Sequence, residues 1–82
     1  MDIRDIEIFR AVMQAGSTSK AAVLLDVSQP AVSQAIKRFE TSSELRLFDR
    51  VRGRLVPTRE AQALLVEVDQ YFSGLENLRH RV

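Results

Sequence analysis

From Ile3 to Phe39 the apolar residues recur with helical spacing. Ile3, Ile6, Phe9, Val12 and Met13 share one face, and Gly16 stands where a left-handed cap would end that helix. Ser17 and Thr18 are placed to cap a second, short helix carrying Ala21, Ala22, Leu24 and Leu25. A polar break, Asp26-Val27-Ser28, follows. Ser28 suits the N-cap of a third helix, and Pro30 falls in its first turn, where a missing N–H removes no intrahelical bond. Val32, Ala35, Ile36 and Phe39 give that helix its buried stripe. Two helices joined by so short a break cannot lie side by side as a long hairpin. They cross steeply and the second protrudes, which is the geometry of a helix-turn-helix, whose second helix enters the DNA major groove.

Beyond Glu44 the pattern shortens. Leu45, Leu47, Phe48, Val51, Leu55 and Val56 flank an Arg52-Gly53-Arg54 tip, which predicts two short strands around a glycine turn, ended by Pro57. Thr58 is placed to cap a long last helix with Glu60 and Glu67 in its first half and Arg79 and Arg81 at its end, an order that suits the helix dipole. The fold class expected is therefore mainly α: a winged helix-turn-helix of three helices and a two-stranded β-wing over residues 1–58, then a linker helix over 59–82.

That last helix carries two apolar seams. Leu64, Val68, Tyr71, Leu75, Leu78 and Val82 form one, and Ala61, Leu65, Val68, Phe72 and Leu75 the other. Together they are wider than one contact needs. The helix either folds back and buries both, or covers the small domain with one and offers the other to a second subunit. A core this small favours the second arrangement, so Leu64, Leu65, Val68, Tyr71, Phe72, Leu75 and Leu78 are the expected dimerisation residues. Gly74, about 1 kcal/mol worse than Ala inside a helix, is expected to mark a close helix crossing.

Composition narrows the function. With 82 residues, 45% hydrophobic and 28% charged, the chain suits one small globular domain and excludes disorder. No apolar run approaches the roughly 18 residues that span a bilayer. Asp2, Arg4, Asp5 and Glu7 occupy the place a signal peptide would keep apolar. With no cysteine there is no disulfide or thiolate metal site, and a cytoplasmic location is expected. The net charge is only +1, but residues 37–59 carry +4 between ends of −1 and −2, a localised basic footprint.

Helical spacing on the third helix places Gln29, Ser33 and Lys37 in one outward row and Pro30, Gln34 and Arg38 in the next. The N-terminal end of such a helix sits deepest in the groove, so Gln29, Pro30, Ser33 and Gln34 are the expected base readers. Glutamine amides pair with adenine, serine accepts either kind of edge, and a proline ring packs on a thymine methyl. Lys37 and Arg38, further along, are expected on phosphates, as are the hydroxyls of Ser17, Thr18 and Ser28 at helix starts, where plain N-capping is the competing role. Arg52 and Arg54 at the wing tip are expected in the flanking minor groove, against the alternative of a solvated turn. Arg50 is expected to pair with an acid such as Glu40 and hold the wing.

AAVLLDVSQPAVSQAIKRFE, followed by RLFDR and RGRLVPT, resembles the N-terminal domain of LysR-type transcriptional regulators over nearly the whole chain. The resemblance implies a linker helix that pairs antiparallel in a homodimer on an inverted-repeat operator of double-stranded DNA. It also implies a small-molecule-binding domain that these residues do not include, no cofactor here, and RNA polymerase as a partner of the full-length protein. RLVPTREA is similar to the subgroup acting in amino-acid and opine metabolism. Three departures stand out: Gln34 where the family often has Arg, Ser43-Glu44 for the usual Leu-Gly, and Gln62 where Gly is common. If Glu44 adopts positive φ, it carries a strain there.

Other function classes fare worse. The single histidine, His80, sits between Arg79 and Arg81, and no phosphate loop, carboxylate pair or metal cluster accompanies it, which argues against an enzyme. A protein-interaction module would need apolar anchors on the outer face of the third helix, where Gln29, Ser33, Gln34 and Lys37 stand instead. RNA recognition lacks its exposed stacking aromatics.

Overall fold

Each helix starts on a polar cap that the sequence supplies. The computed structural model describes residues 2–82. Asp2 accepts the Arg4 N–H ahead of α1 (Ile3–Ala15), and Ser17 Oγ accepts the Lys20 N–H ahead of α2 (Thr18–Leu25). Ser28 Oγ accepts the Ala31 N–H ahead of α3 (Gln29–Ser43), and Thr58 Oγ1 the Ala61 N–H ahead of α4 (Arg59–Arg81). Each such cap is worth about 1 kcal/mol against alanine. The first three helices end on left-handed residues: Gly16 at φ 88°, Asp26 at 55° and Glu44 at 57°. Between α3 and α4, β1 (Phe48–Val51) pairs antiparallel with β2 (Arg54–Pro57), Val51 opposite Arg54. Pro57 thus closes β2 from inside it. The two-residue loop holds Arg52 at φ 54° and Gly53 at φ 75°, the double positive φ that a type I′ hairpin turn requires.

The core is a three-helix junction roofed by the start of α4. Phe9, Val12, Val32, Phe39 and Leu47 are fully buried, joined by Ala21, Ala35, Ile36, Ala61 and Val68. Phe9 and Phe39 meet edge to face, centroids 5.5 Å apart. Burying such side chains stabilises by roughly 1.5–3 kcal/mol each. Helix α2 gives the core Ala21 and Ala22, while Leu24 and Val23 point outward, at 68% and 81% exposure. Small Ala21 and Ala22 let α2 lie close to α1 and α3 and turn its larger residues to solvent.

Two sequence expectations fail here. Arg50 forms no ion pair among the described residues. Glu40 instead turns its Oε2 to the chain, accepting the Leu47 N–H at 2.8 Å and the Phe48 N–H at 3.2 Å. Two backbone donors at the entry to β1 outcompete a mobile arginine, and Arg46 pairs with Asp49 at 2.6 Å. Nor does Gly74 mark a crossing within this chain: a Cβ built there meets nothing within 4 Å, and residues 73–82 are all exposed. Among the described residues no helix is long and apolar enough to cross a membrane.

Candidate nucleic-acid interface

Helix α3 divides cleanly into two faces. Val32, Ala35, Ile36 and Phe39 are buried, while Gln29, Pro30, Ser33, Gln34, Lys37 and Arg38 are all exposed. The outward face offers amides, a hydroxyl, a proline ring and two cations, and no large apolar side chain.

Several of these groups are held by neighbours. Gln29 Nε2 donates to Thr18 Oγ1 at 3.2 Å, bridging the start of α3 to the start of α2. Thr18 itself is buried, which removes it from the set of surface phosphate contacts; its hydroxyl is turned to Gln29. Ser17 stays half-buried, its Oγ engaged in capping, and Ser28 is exposed at the head of α3. Arg38 Nη2 donates to Oδ1 of the buried Asp5 at 3.1 Å, yet its side chain remains 61% exposed. Part of the guanidinium is therefore held against α1, and the rest is available to an anion. Sequence spacing missed this pair because Asp5 lies on a helix face that otherwise reads as apolar.

The wing closes on the same side. Arg52 and Arg54 are exposed at the hairpin tip. A groove of about 610 Å³ runs between wing and helices, lined by Ser17, Ser19, Lys20, Gln29, Arg50 and Arg54 among others. The start of α2, the head of α3 and the wing thus border one polar and basic trough. Lys20 and Arg50 belong to it, although neither is an expected contact on sequence grounds. The signal for Lys20 was its position in the first turn of a helix just before the turn.

Helix α4 splits its two seams. Ala61 and Val68 are buried, and Leu64, Leu65 and Phe72 pack partly against the core. Arg10 of α1 reaches Asp69 at 2.8 Å and lies over the Phe72 ring, 4.8 Å from its centroid. Leu65 and Phe72, expected in the dimer seam, are thus turned to their own domain. Tyr71, Leu75, Leu78 and Val82 are exposed, and a mostly apolar recess of Ile3, Ile6, Val68 and Tyr71, with Glu67 also in its lining, continues them.

A family model described as bacterial regulatory helix-turn-helix protein, lysR family, matches residues 3–62. The octopine catabolism/uptake operon regulatory protein OccR of Rhizobium meliloti is 46% identical over 78 residues, covering 95% of this chain and 26% of that protein. The transcriptional activator protein LysR of Escherichia coli is 50% identical over 78 residues, covering 95% of this chain and 25% of that protein. The chain spans about a quarter of the length of these curated relatives. Of solved structures, the BenM DBD/benA site 1 DNA complex superposes with a TM-score of 0.91 at 25% identity, covering 99% of this chain and 94% of that one. The CbnR DBD–DNA complex gives 0.84 at 28%, covering 99% and 95%.

Proposed function

Because this chain belongs to the lysR family of bacterial regulatory helix-turn-helix proteins, we propose that it is the sequence-reading unit of a transcription regulator. It binds double-stranded DNA in the cytoplasm as a homodimer on an inverted-repeat operator. It performs no catalysis. The observation that carries this reading is the outward face of α3, where Gln29, Pro30, Ser33 and Gln34 stand exposed over an inward row that is wholly buried. Such a face is a reader of base edges: the amides match adenine, serine takes either edge, and the proline ring meets a thymine methyl.

The remaining roles follow from charge and place. Lys37, the free side of Arg38, Ser17, Ser28, Lys20 and Arg50 contact phosphates and set the register. Arg52 and Arg54 enter the flanking minor groove. Residues 1–58 form the DNA-binding domain and 59–82 the dimerisation helix, joined to its partner through the exposed Tyr71, Leu75 and Leu78. The small-molecule effector and RNA polymerase engage the full-length regulator. The likeness to an octopine operon regulator supports targets in amino-acid or opine metabolism.

A salt titration of binding to a pool of random duplexes, with the retained DNA sequenced, tests this. Enrichment of an inverted repeat with steep salt dependence is expected. Retention without enrichment removes the reading role, and no retention at low salt removes DNA binding altogether.

A further inference from the structure

The start of α2 holds a group with no part in helix capping. Ser17 caps α2, accepting the Lys20 N–H at 3.1 Å, so the hydroxyl of Thr18 is not needed there. Thr18 is nonetheless buried, at 8% exposure, and its Oγ1 receives the amide of Gln29, an exposed residue at the head of the next helix. We propose that Thr18 is a positioning residue for base reading: its hydroxyl tethers the Gln29 side chain and holds its amide in place at the head of α3. This rests on the reading of Gln29 as a base reader.

A free glutamine side chain turns about three torsions and carries its amide to many places. The bond to Thr18 engages one hydrogen of Nε2 and holds the amide at one of them. The second hydrogen and Oε1 remain for DNA. Adenine presents an N7 acceptor beside an N6 donor in the major groove, and a paired contact needs the amide at the place where that edge passes. The contact also restrains a flexible side chain before DNA arrives, which removes part of the ordering entropy of binding. Without the hydroxyl, Gln29 keeps its two functional groups and loses the tether that holds them in place. Discrimination should suffer more than affinity.

The test compares Thr18→Val, Thr18→Ser and Gln29→Ala in this chain by random-duplex selection, salt titration and thermal unfolding. Gln29→Ala identifies the base step that Gln29 reads. Thr18→Val should lower the preference at that same step by roughly two- to tenfold, the range of one net hydrogen bond. It should leave the other steps and the salt slope unchanged. Thr18→Ser, which keeps the hydroxyl, should retain the preference, and Thr18→Val should add nothing in the Gln29→Ala background. Preference intact in Thr18→Val, or an equal loss on every sequence, overturns the positioning role while Gln29 remains a reader. If Gln29→Ala relaxes no step, the reader assignment falls, and this inference with it.

Discussion

Arg10 on α1 and Asp69 on α4 meet at 2.8 Å across fifty-nine positions of sequence. Both side chains are partly exposed, at 34% and 48%, so the ion pair contributes at most about 1 kcal/mol. The guanidinium above Phe72 adds about 0.5–1 kcal/mol. Its larger effect is on direction. Val68 is the last buried residue of α4, and Asp69 and Phe72 follow it, so this contact, together with the packing of Leu64, Leu65 and Phe72, braces the angle at which the exposed end of the helix leaves the domain. In a dimer joined through α4, that angle fixes the distance between two recognition helices. Arg10→Ala should cost about 1 kcal/mol in urea unfolding. It should also flatten the dependence of binding on half-site spacing, read on operators lengthened or shortened by one base pair.

Glu40, on α3, is expected to be the polar residue on which the wing depends most. Its Oε2 serves two backbone donors, one of them on the fully buried Leu47. Glu40→Ala strands both, and one buried N–H left unpaired costs about 1–3 kcal/mol. Glu40→Gln keeps an acceptor oxygen and should lose less. Arg50→Ala should leave the unfolding midpoint where it was and weaken DNA binding. A stability loss in Arg50→Ala comparable to that of Glu40→Ala would return Arg50 to the wing-holding role first expected of it.

The division between what the chain's pattern disclosed and what it did not follows the range of the interactions. Gly16, Ser28 and Pro30 act within a turn of themselves, as Thr58 does in capping α4, so these caps and boundaries are readable from neighbours alone, whereas the Thr58 hydroxyl's bond to the Arg46 carbonyl is not. The hairpin is legible for the same reason, since Arg52-Gly53 has a glycine where the turn needs it. The wide apolar face of α4 is also plain, but which seam turns inward depends on how the helix docks. Leu65 and Phe72 went to the core and Tyr71 and Leu78 to solvent for that reason. Glu40 with Leu47, Asp5 with Arg38, and Thr18 with Gln29 are meetings between elements, decided by rotamer and crossing angle, which no periodicity encodes.

Glu44 ends α3 at φ 57° and ψ 31°, with its N–H on the Glu40 carbonyl. A side chain in the left-handed region is strained by roughly 1–2 kcal/mol, and glycine escapes that strain while losing more backbone entropy on folding. Glu44→Gly should therefore gain about 0.5–1 kcal/mol, measured as a shift in the urea midpoint without a change in slope. The residues of α3 proposed to read bases lie at its other end, so base preference should be unaltered.

In the proposed complex the wing arginines bring charge to the phosphates and minor groove more than they read sequence. Arg52 sits at φ 54° in the turn, and alanine has the same Cβ there, so Arg52→Ala removes the guanidinium without changing the turn's strain. Binding should weaken similarly on every duplex, and the slope of log affinity against log salt should fall by about 1. A loss confined to one base step would make Arg52 a reader.

The exposed seam of α4 gives the sharpest test of assembly. Leu78 is 59% exposed and lies beyond every contact of α4 with its own domain, so nothing inside this chain depends on it. Leu78→Lys should leave the helical signal and the wing intact. In a dimer seam the same change buries an ammonium against apolar side chains and removes a leucine worth about 1.5–3 kcal/mol of burial per subunit. Sedimentation equilibrium should show the variant as monomer at concentrations where the parent is dimer. Binding to a single half-site should be retained, and the gain from presenting two half-sites on one duplex should disappear. An unaltered dimer would move the interface off α4, with the recess of Ile3, Ile6, Val68 and Tyr71 the next surface to probe.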